Sequence, residues 1–248
     1  MIEGNQGLEP EERYLQEQRY RRLSVLVPVY NERTTVGEVL RRVRQAQIPL
    51  EMEVIVVDDG STDGTDAVLK VISDSTIRVI KHTTNMGKGA ALRTAMASAS
   101  GDLLLIQDAD LEYDPGDWQA LLAPVLSGKA EVVYGSRFTG PRRNMFPSHW
   151  IGNRFLTLVT NVLYRSTLSD METCYKLFTR DALHGIEIQS RGFDVEPELT
   201  AKILRKGIRI YEVPVSYAGR EVSEGKKIRW QDGFKALAAL LKYRITRL

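Results

Sequence analysis

The pattern that most constrains this chain is a series of short, β-branched apolar runs, each followed by a polar loop and a stretch with helical spacing. Residues 23–29 and 54–57 begin the series, and 77–80, 103–106 and 132–134 continue it. Runs without polar alternation suit strands buried on both faces, as in a parallel sheet. Helices are expected between them at 34–45, 63–72, 88–99 and 116–126. This alternation predicts a doubly wound α/β domain. After Phe138 the rhythm breaks: Gly140-Pro141-Arg142-Arg143 is loop-like, 150–163 carries apolar residues at helical spacing, and 174–217 returns to mixed strand and helix.

A chain of 248 residues is ordinary for one α/β enzyme domain, and 43% hydrophobic residues can supply its core. The 27% charged fraction argues against wholesale disorder, and a net charge of +2 gives no argument for nucleic acid as a partner. Cys174 is the only cysteine, which excludes an internal disulfide and a cysteine-based zinc site. His82, His149 and His184 have no metal-ligand spacing. No run approaches the roughly 18 apolar residues that cross a bilayer, and no signal-peptide pattern occurs. The expectation is a cytoplasmic protein, soluble or held at a membrane surface. Residues 1–22 read as a charged N-terminal extension, 23–230 as a single α/β domain, and 231–248 as a basic amphipathic helix.

In open α/β sheets, ligands bind beyond the carboxyl ends of the strands. Four strand ends in succession carry informative loops: Pro28-Val29-Tyr30-Asn31-Glu32, then Asp58-Asp59-Gly60-Ser61-Thr62-Asp63, then Asn85-Met86-Gly87-Lys88-Gly89, then Asp108-Ala109-Asp110. The second, taken alone, is also a turn with Asp63 capping a helix. The third is similar to a phosphate cradle, yet equally to the start of a helix. The fourth is the most specific, because carboxylates directly after a buried strand have no structural purpose there. Glu112 offers a third oxygen ligand. Magnesium and manganese take oxygen ligands and share them with substrate phosphates.

Together these segments resemble the family 2 glycosyltransferases of GT-A fold, over roughly residues 24–244. Within that family the likeness is to the polyprenyl-phosphate hexosyltransferases, through Asp108-Ala109-Asp110-Leu111-Glu112-Tyr113-Asp114-Pro115, Gly135-Ser136-Arg137-Phe138 and Glu172-Thr173-Cys174-Tyr175-Lys176. The resemblance implies a Rossmann-like domain with a central, mostly parallel sheet flanked by helices. It implies transfer of a hexose from a nucleotide sugar (GDP-mannose or UDP-glucose) to a polyprenyl or dolichyl phosphate. Pro28, Tyr30, Glu32, Asp58 and Asp59 would form the nucleotide pocket, with Lys88 and Ala109 beside the donor. Asp108 and Asp110, with Glu112, would hold Mg2+ or Mn2+. Arg137 and Arg154 would grip the acceptor phosphate, and Arg220 and Lys226 would close over the site. Glu112 stands where many relatives carry glutamine.

A phosphate monoester is already ionised near neutral pH, its second pKa being about 6, so such an acceptor needs no general base. A hydroxyl acceptor on a small hydroxy acid or a sugar is the alternative, with Asp194 or Glu196 as base; the rival reading of that pair is a helix start capped by Asp194. At the chain end, Phe234, Leu237, Ala238, Leu241, Ile245 and Leu248 share one helical face, amid Lys226, Lys227, Arg229, Lys235, Lys242, Arg244 and Arg247. That face suits peripheral attachment to anionic lipid on the cytoplasmic side, where stable anchoring would draw on a membrane partner protein, or simple packing on the domain. Phe146, Trp150, Phe155 and Leu156 offer a second apolar surface. An NAD(P) oxidoreductase is excluded, because no glycine fingerprint follows the first strand. Asp108-x-Asp110 argues against a purely nucleotide-binding regulatory module.

Overall fold

A computed structural model describes residues 19–72, 74–220 and 230–246. Among them, seven strands form one sheet: β1 (Arg22–Val29), β2 (Glu51–Asp58), β3 (Ile77–Lys81), β4 (Leu103–Ile106), β5 (Val132–Ser136), β6 (Lys176–Thr179) and β7 (Ile210–Pro214). The helices are α1 (Val36–Gln45), α2 (Thr65–Lys70), α3 (Lys88–Ser98), α4 (Trp118–Leu126), α5 (Pro147–Tyr164), α6 (Arg180–Leu183), α7 (Val195–Arg205) and α8 (Trp230–Ile245). The five expected strands are present, and β4 has the expected bounds. Helix α5 begins earlier than its apolar periodicity suggested, because Pro147 supplies the first helical residue, where a missing N–H costs nothing. Asp63 does not take the N-cap position of α2, which Gly64 occupies; its carboxylate instead accepts from Thr65 N at 3.0 Å and Thr65 Oγ1 at 2.6 Å.

The strand order is β3-β2-β1-β4-β6-β5-β7. The chain runs outward from β1 through β2 to β3, then returns to place β4 on the other side of β1. That reversal is a topological switch point, and it opens a crevice above the carboxyl ends of β1 and β4. All neighbours pair in parallel except β6, which runs antiparallel to both β4 and β5. The inversion of β6 matters for the site: its amino end, preceded by Glu172–Tyr175, lies at the same edge as the carboxyl ends of the others.

Strands β4, β5 and β6 are buried at every residue, β4 as its unbroken apolar run required and β6 despite its Lys176 and Thr179, whereas edge strand β3 is half exposed. Full burial of each Leu, Ile or Val contributes about 1.5–3 kcal/mol against exposure. Helix α8 packs on α5 and α7 through Ala236, Ala239, Leu240 and Tyr243. Its outer side exposes Phe234, Ala238, Leu241 and Ile245 beside Lys235, Lys242 and Arg244. The chain end is therefore packed on the domain, and an apolar, basic face remains outward; Arg247 and Leu248 lie outside the described residues.

Candidate active site

The loop after β4 delivers Asp108, Asp110 and Glu112 to the crevice. Leu111 between them has φ +63°, a left-handed conformation costing a side chain about 1–2 kcal/mol. This tight turn lets Asp110 Oδ1 accept from Glu112 N at 3.1 Å. Arg220 closes the cluster from the segment after β7. Its guanidinium donates to both carboxylate oxygens of Glu32 at 3.0 Å and to Asp110 Oδ2 at 3.2 Å. Its backbone N–H donates to Glu112 Oε1 at 2.7 Å, and Glu112 Oε2 accepts from Tyr217 OH at 2.8 Å. Glu112 is thus committed to the segment after β7, and no group of three acidic, His or Cys side chains converges on a metal position among the described residues. Burial, followed by the neighbouring Asp108 and Glu112, pushes the Asp110 carboxyl up to about 7. The turn concentrates negative charge that a cation would relieve.

Behind it lies a second cluster. Lys88 Nζ sits 2.9 Å from Asp108 Oδ1 and 2.8 Å from Glu196 Oε1. Burial disfavours its charge, but Asp108, Cys174 and Glu196 hold the ammonium well above its ordinary range. Burial likewise works against ionised Asp108, but Lys88, a hydrogen bond from Cys174 and the charge of Arg220 together outweigh it, so that carboxyl lies low. Glu196 Oε2 and Glu172 Oε1 are buried without a hydrogen-bond partner. Burial, then Glu196, raises the Glu172 carboxyl to about 7. Glu172 received no role from the sequence, because only the inversion of β6 brings it here.

The glycines around Lys88 serve packing. A Cβ on Gly87 or Gly89 would collide with the carbonyls of Arg191 and Ser190, whose segment Glu198 holds by accepting from Gln189 N and Ser190 N. Gly89 N donates to Arg191 O at 2.8 Å, and Gly87 N donates to Asp59 Oδ2 at 2.7 Å. These amides are taken, so Gly87-Lys88-Gly89 is the start of a helix rather than a phosphate cradle.

Asp59 is similarly occupied: Oδ1 also accepts from Met86 N at 2.9 Å and lies 2.6 Å from His82 Nδ1, while His82 Nε2 lies 2.9 Å from Thr94 Oγ1. Its carboxylate organises the loop that carries Lys88. Asp58 differs: Oδ1 accepts from Ser61 N at 2.9 Å, and the buried Oδ2 has no partner. Asp58, not Asp59, therefore keeps a carboxylate oxygen without a partner, close to half-buried Pro28 and Tyr30. The half-buried pairing of His82 had no signal in the sequence, since its partners lie 23 and 12 residues away.

Beyond β5, Arg137 is buried against Asp170. Its Nε and Nη2 each donate to that carboxylate at 2.7 Å, its backbone N–H at 2.9 Å, and its ring-facing side lies 5.2 Å from the centre of Tyr217. Arg154, on α5, is exposed; it donates to Ser169 O at 3.1 Å and lies over Phe138 at 5.4 Å. The structure brings Glu32, Asp108, Asp110, Glu112 and Arg220 together, with Lys88 behind them. Lys226, Lys227 and Arg229 lie outside the described residues.

The glycosyl transferase family 2 model matches residues 24–186. Among curated proteins, undecaprenyl-phosphate mannosyltransferase of Micrococcus luteus is 31% identical over 83% of this chain and 87% of its own length. Dolichol-phosphate mannosyltransferase of Pyrococcus furiosus is 26% identical over 83% of this chain, which spans 59% of that protein. Among solved structures, glucosyl-3-phosphoglycerate synthase from Mycobacterium tuberculosis, in complex with Mn2+, uridine diphosphate and phosphoglyceric acid, superposes with a TM-score of 0.73. It is 21% identical, with 98% of this chain and 85% of that one covered, a likeness of fold.

Proposed function

The chain belongs to glycosyl transferase family 2, and from that premise we propose that it transfers a hexose from a nucleotide sugar to a polyprenyl phosphate. The observation that carries this reading is the state of the two carboxylates able to serve a hydroxyl acceptor. Glu196 is paired with Lys88, and Asp194 Oδ1 accepts from Gly192 N at 3.1 Å. Meanwhile Arg137, Arg142, Arg143 and Arg154 gather beyond β5, a surface suited to an ionised phosphate. The two mannosyltransferases whose sequences resemble this one are named for lipid phosphates.

In this reading the nucleoside lies over Pro28, Tyr30 and Glu32, with Asp58 Oδ2 accepting from the base or ribose and Asp59 holding the loop beneath. Asp108 and Asp110 would hold Mg2+ or Mn2+, two hard oxygen donors whose crowded charge fits a divalent cation shared with substrate oxygens. Bound there, the cation supplies neutralisation of the departing diphosphate. Lys88 keeps Asp108 ionised and oriented, and Arg220 covers the donor. Arg154, with the edge of Arg137 not spent on Asp170, orients the acceptor phosphate, whose own charge makes it the nucleophile. Glu112 joins the metal only by leaving Tyr217 and Arg220.

The deciding assay offers nucleotide sugars with a polyprenyl phosphate and, separately, with soluble hydroxyl acceptors. The expected product is the glycosylated lipid phosphate, with Arg154→Ala raising the acceptor KM about tenfold or more. Transfer to a hydroxyl alone would refute this reading and turn attention to Glu196, whose Oε2 has no partner. A second measurement follows from the Asp110 carboxyl at about 7. Cation binding needs the ionised form, so affinity for Mn2+, measured by titration calorimetry, should weaken about tenfold between pH 8 and pH 6. A pH-independent affinity would exclude Asp110 as a ligand.

No described helix is long and apolar enough to cross a membrane. Peripheral attachment has a physical basis in α5, where Ile151, Phe155, Leu158 and Val162 recur at helical spacing and are 52–71% exposed. Arg154 on the same helix and the outward face of α8 add positive charge. Sedimentation with anionic vesicles should capture the protein, and Ile151→Glu with Leu158→Glu should release most of it. Equal binding by this variant would remove α5 from the membrane contact.

A further inference from the structure

One cleft lies between the donor-covering Arg220 and the arginines beyond β5, and its apolar side has no role in that reading. It has a volume of about 320 Å3 and is lined by Arg143, Met145, Phe146, Pro147, Tyr217 and Arg220, among others. Its two ends differ in chemistry. At one end Arg220 reaches Asp110 and Glu32, so the cleft opens directly on the carboxylate turn. Gly219 makes that closeness possible, because a Cβ there would stand 2.8 Å from the Tyr217 ring. At the other end Met145, Phe146 and Pro147 lead into α5. Phe146 is 52% exposed, and one turn later Trp150 and Ile151 continue the apolar surface. Arg143 also lines the cleft, its backbone N–H donating to Tyr217 O at 2.9 Å.

We propose that this cleft seats the first isoprenoid units of a lipid phosphate acceptor, with Arg143 facing the phosphate and Met145 and Phe146 touching the chain. The inference rests on the lipid-phosphate reading above and adds the residues that would discriminate a lipid phosphate from a soluble one. Three features support that occupant over a polar one. The volume lies at the small end of ligand sites, about 300–1,000 Å3, which suits a headgroup and the nearest part of a chain. A soluble hydroxy acid or sugar has no use for an apolar wall of three side chains. The wall also leads through exposed Trp150 and Ile151 to the stripe of α5, so the distal chain can stay in a bilayer while its phosphate reaches the crevice. The arginines supply opposite charge where the phosphate would sit. Arg137, tied to Asp170, contributes its position more than its full donor capacity.

The test compares geranyl phosphate with methyl phosphate as acceptors for the full chain, taking the ratio of their kcat/KM values so that any general loss of folded enzyme cancels. Wild type should prefer geranyl phosphate by about tenfold or more, the order expected from burying only about two methylene groups of the first isoprene unit. Phe146→Ser combined with Met145→Ser should reduce that ratio to near one, whereas Phe146→Leu should keep most of it. Arg143→Ala should lower kcat/KM for both acceptors alike, chiefly through KM. An unchanged ratio in the double variant, with lipid transfer intact, would overturn the cleft while leaving the proposed reaction standing. A wild type with no preference between the two phosphates would also overturn it. A wild type that used neither phosphate but glycosylated a hydroxyl would overturn both.

Discussion

Asp110→Asn is expected to lower turnover by about 10^2–10^4-fold while leaving the protein as stable as before, or slightly more so. The activity loss follows from the charge of the leaving diphosphate. A cation held by two carboxylates is worth several kcal/mol at that step, and each 1.4 kcal/mol or so is tenfold in rate. The stability expectation comes from the other side of the same electrostatics. Burial and the adjacent Asp108 and Glu112 raise the Asp110 carboxyl from 3.8 to about 7 in the folded protein. A carboxyl whose folded pKa lies above its unfolded value favours the fold only while protonated, so stability declines as pH rises through that interval. An uncharged amide removes the decline. Chemical denaturation at pH 8 should therefore give Asp110→Asn a midpoint equal to or above wild type, while the transferase assay gives almost no product. Full activity in excess chelator, or in this variant, would eliminate the metal role of the turn.

The second large effect concerns stability. Asp170→Ala should destabilise the fold by about 3–5 kcal/mol, because it strands the buried Arg137 guanidinium without its counter-ion. Asp170 is fully buried and accepts three hydrogen bonds from Arg137, including one from its backbone. Glu212 in turn accepts from the backbone N–H groups of Ser169 and Asp170 and so fixes the turn that presents the carboxylate. For a chain of this size the melting temperature should fall by roughly 6–20 °C. Replacing both partners, as in Arg137→Met with Asp170→Leu, should recover much of that loss, since the pair's desolvation cost disappears with it. Equal destabilisation in the single and double variants would contradict this account. Activity lost in Arg137→Ala must consequently be read beside its denaturation midpoint. The exposed Arg154 is the cleaner probe of acceptor binding.

Much of the architecture was legible in local sequence. Buried strands such as 103–106 announce themselves because a strand covered on both faces admits no polar alternation, and helix spacing reports one apolar face. Asp108-x-Asp110 stood out for the same reason: carboxylates directly after such a strand must serve something other than the core. What each polar group bonds to was decided elsewhere. Glu32 meets Arg220 across 188 residues, Arg137 meets Asp170 across 33, and Glu172 reaches the site only because β6 runs against its neighbours. The same distance effect ties both Asp59 oxygens to His82, Met86 and Gly87, leaves Asp58 Oδ2 without a partner, and spends the amides of Gly87 and Gly89 on Asp59 and on the carbonyl of Arg191. Local sequence sets which residues are apolar and where the chain turns, because backbone conformation depends on near neighbours. A buried donor or acceptor must find a partner wherever the fold supplies one, and strand order, which no single segment encodes, determines which partners come within 3 Å.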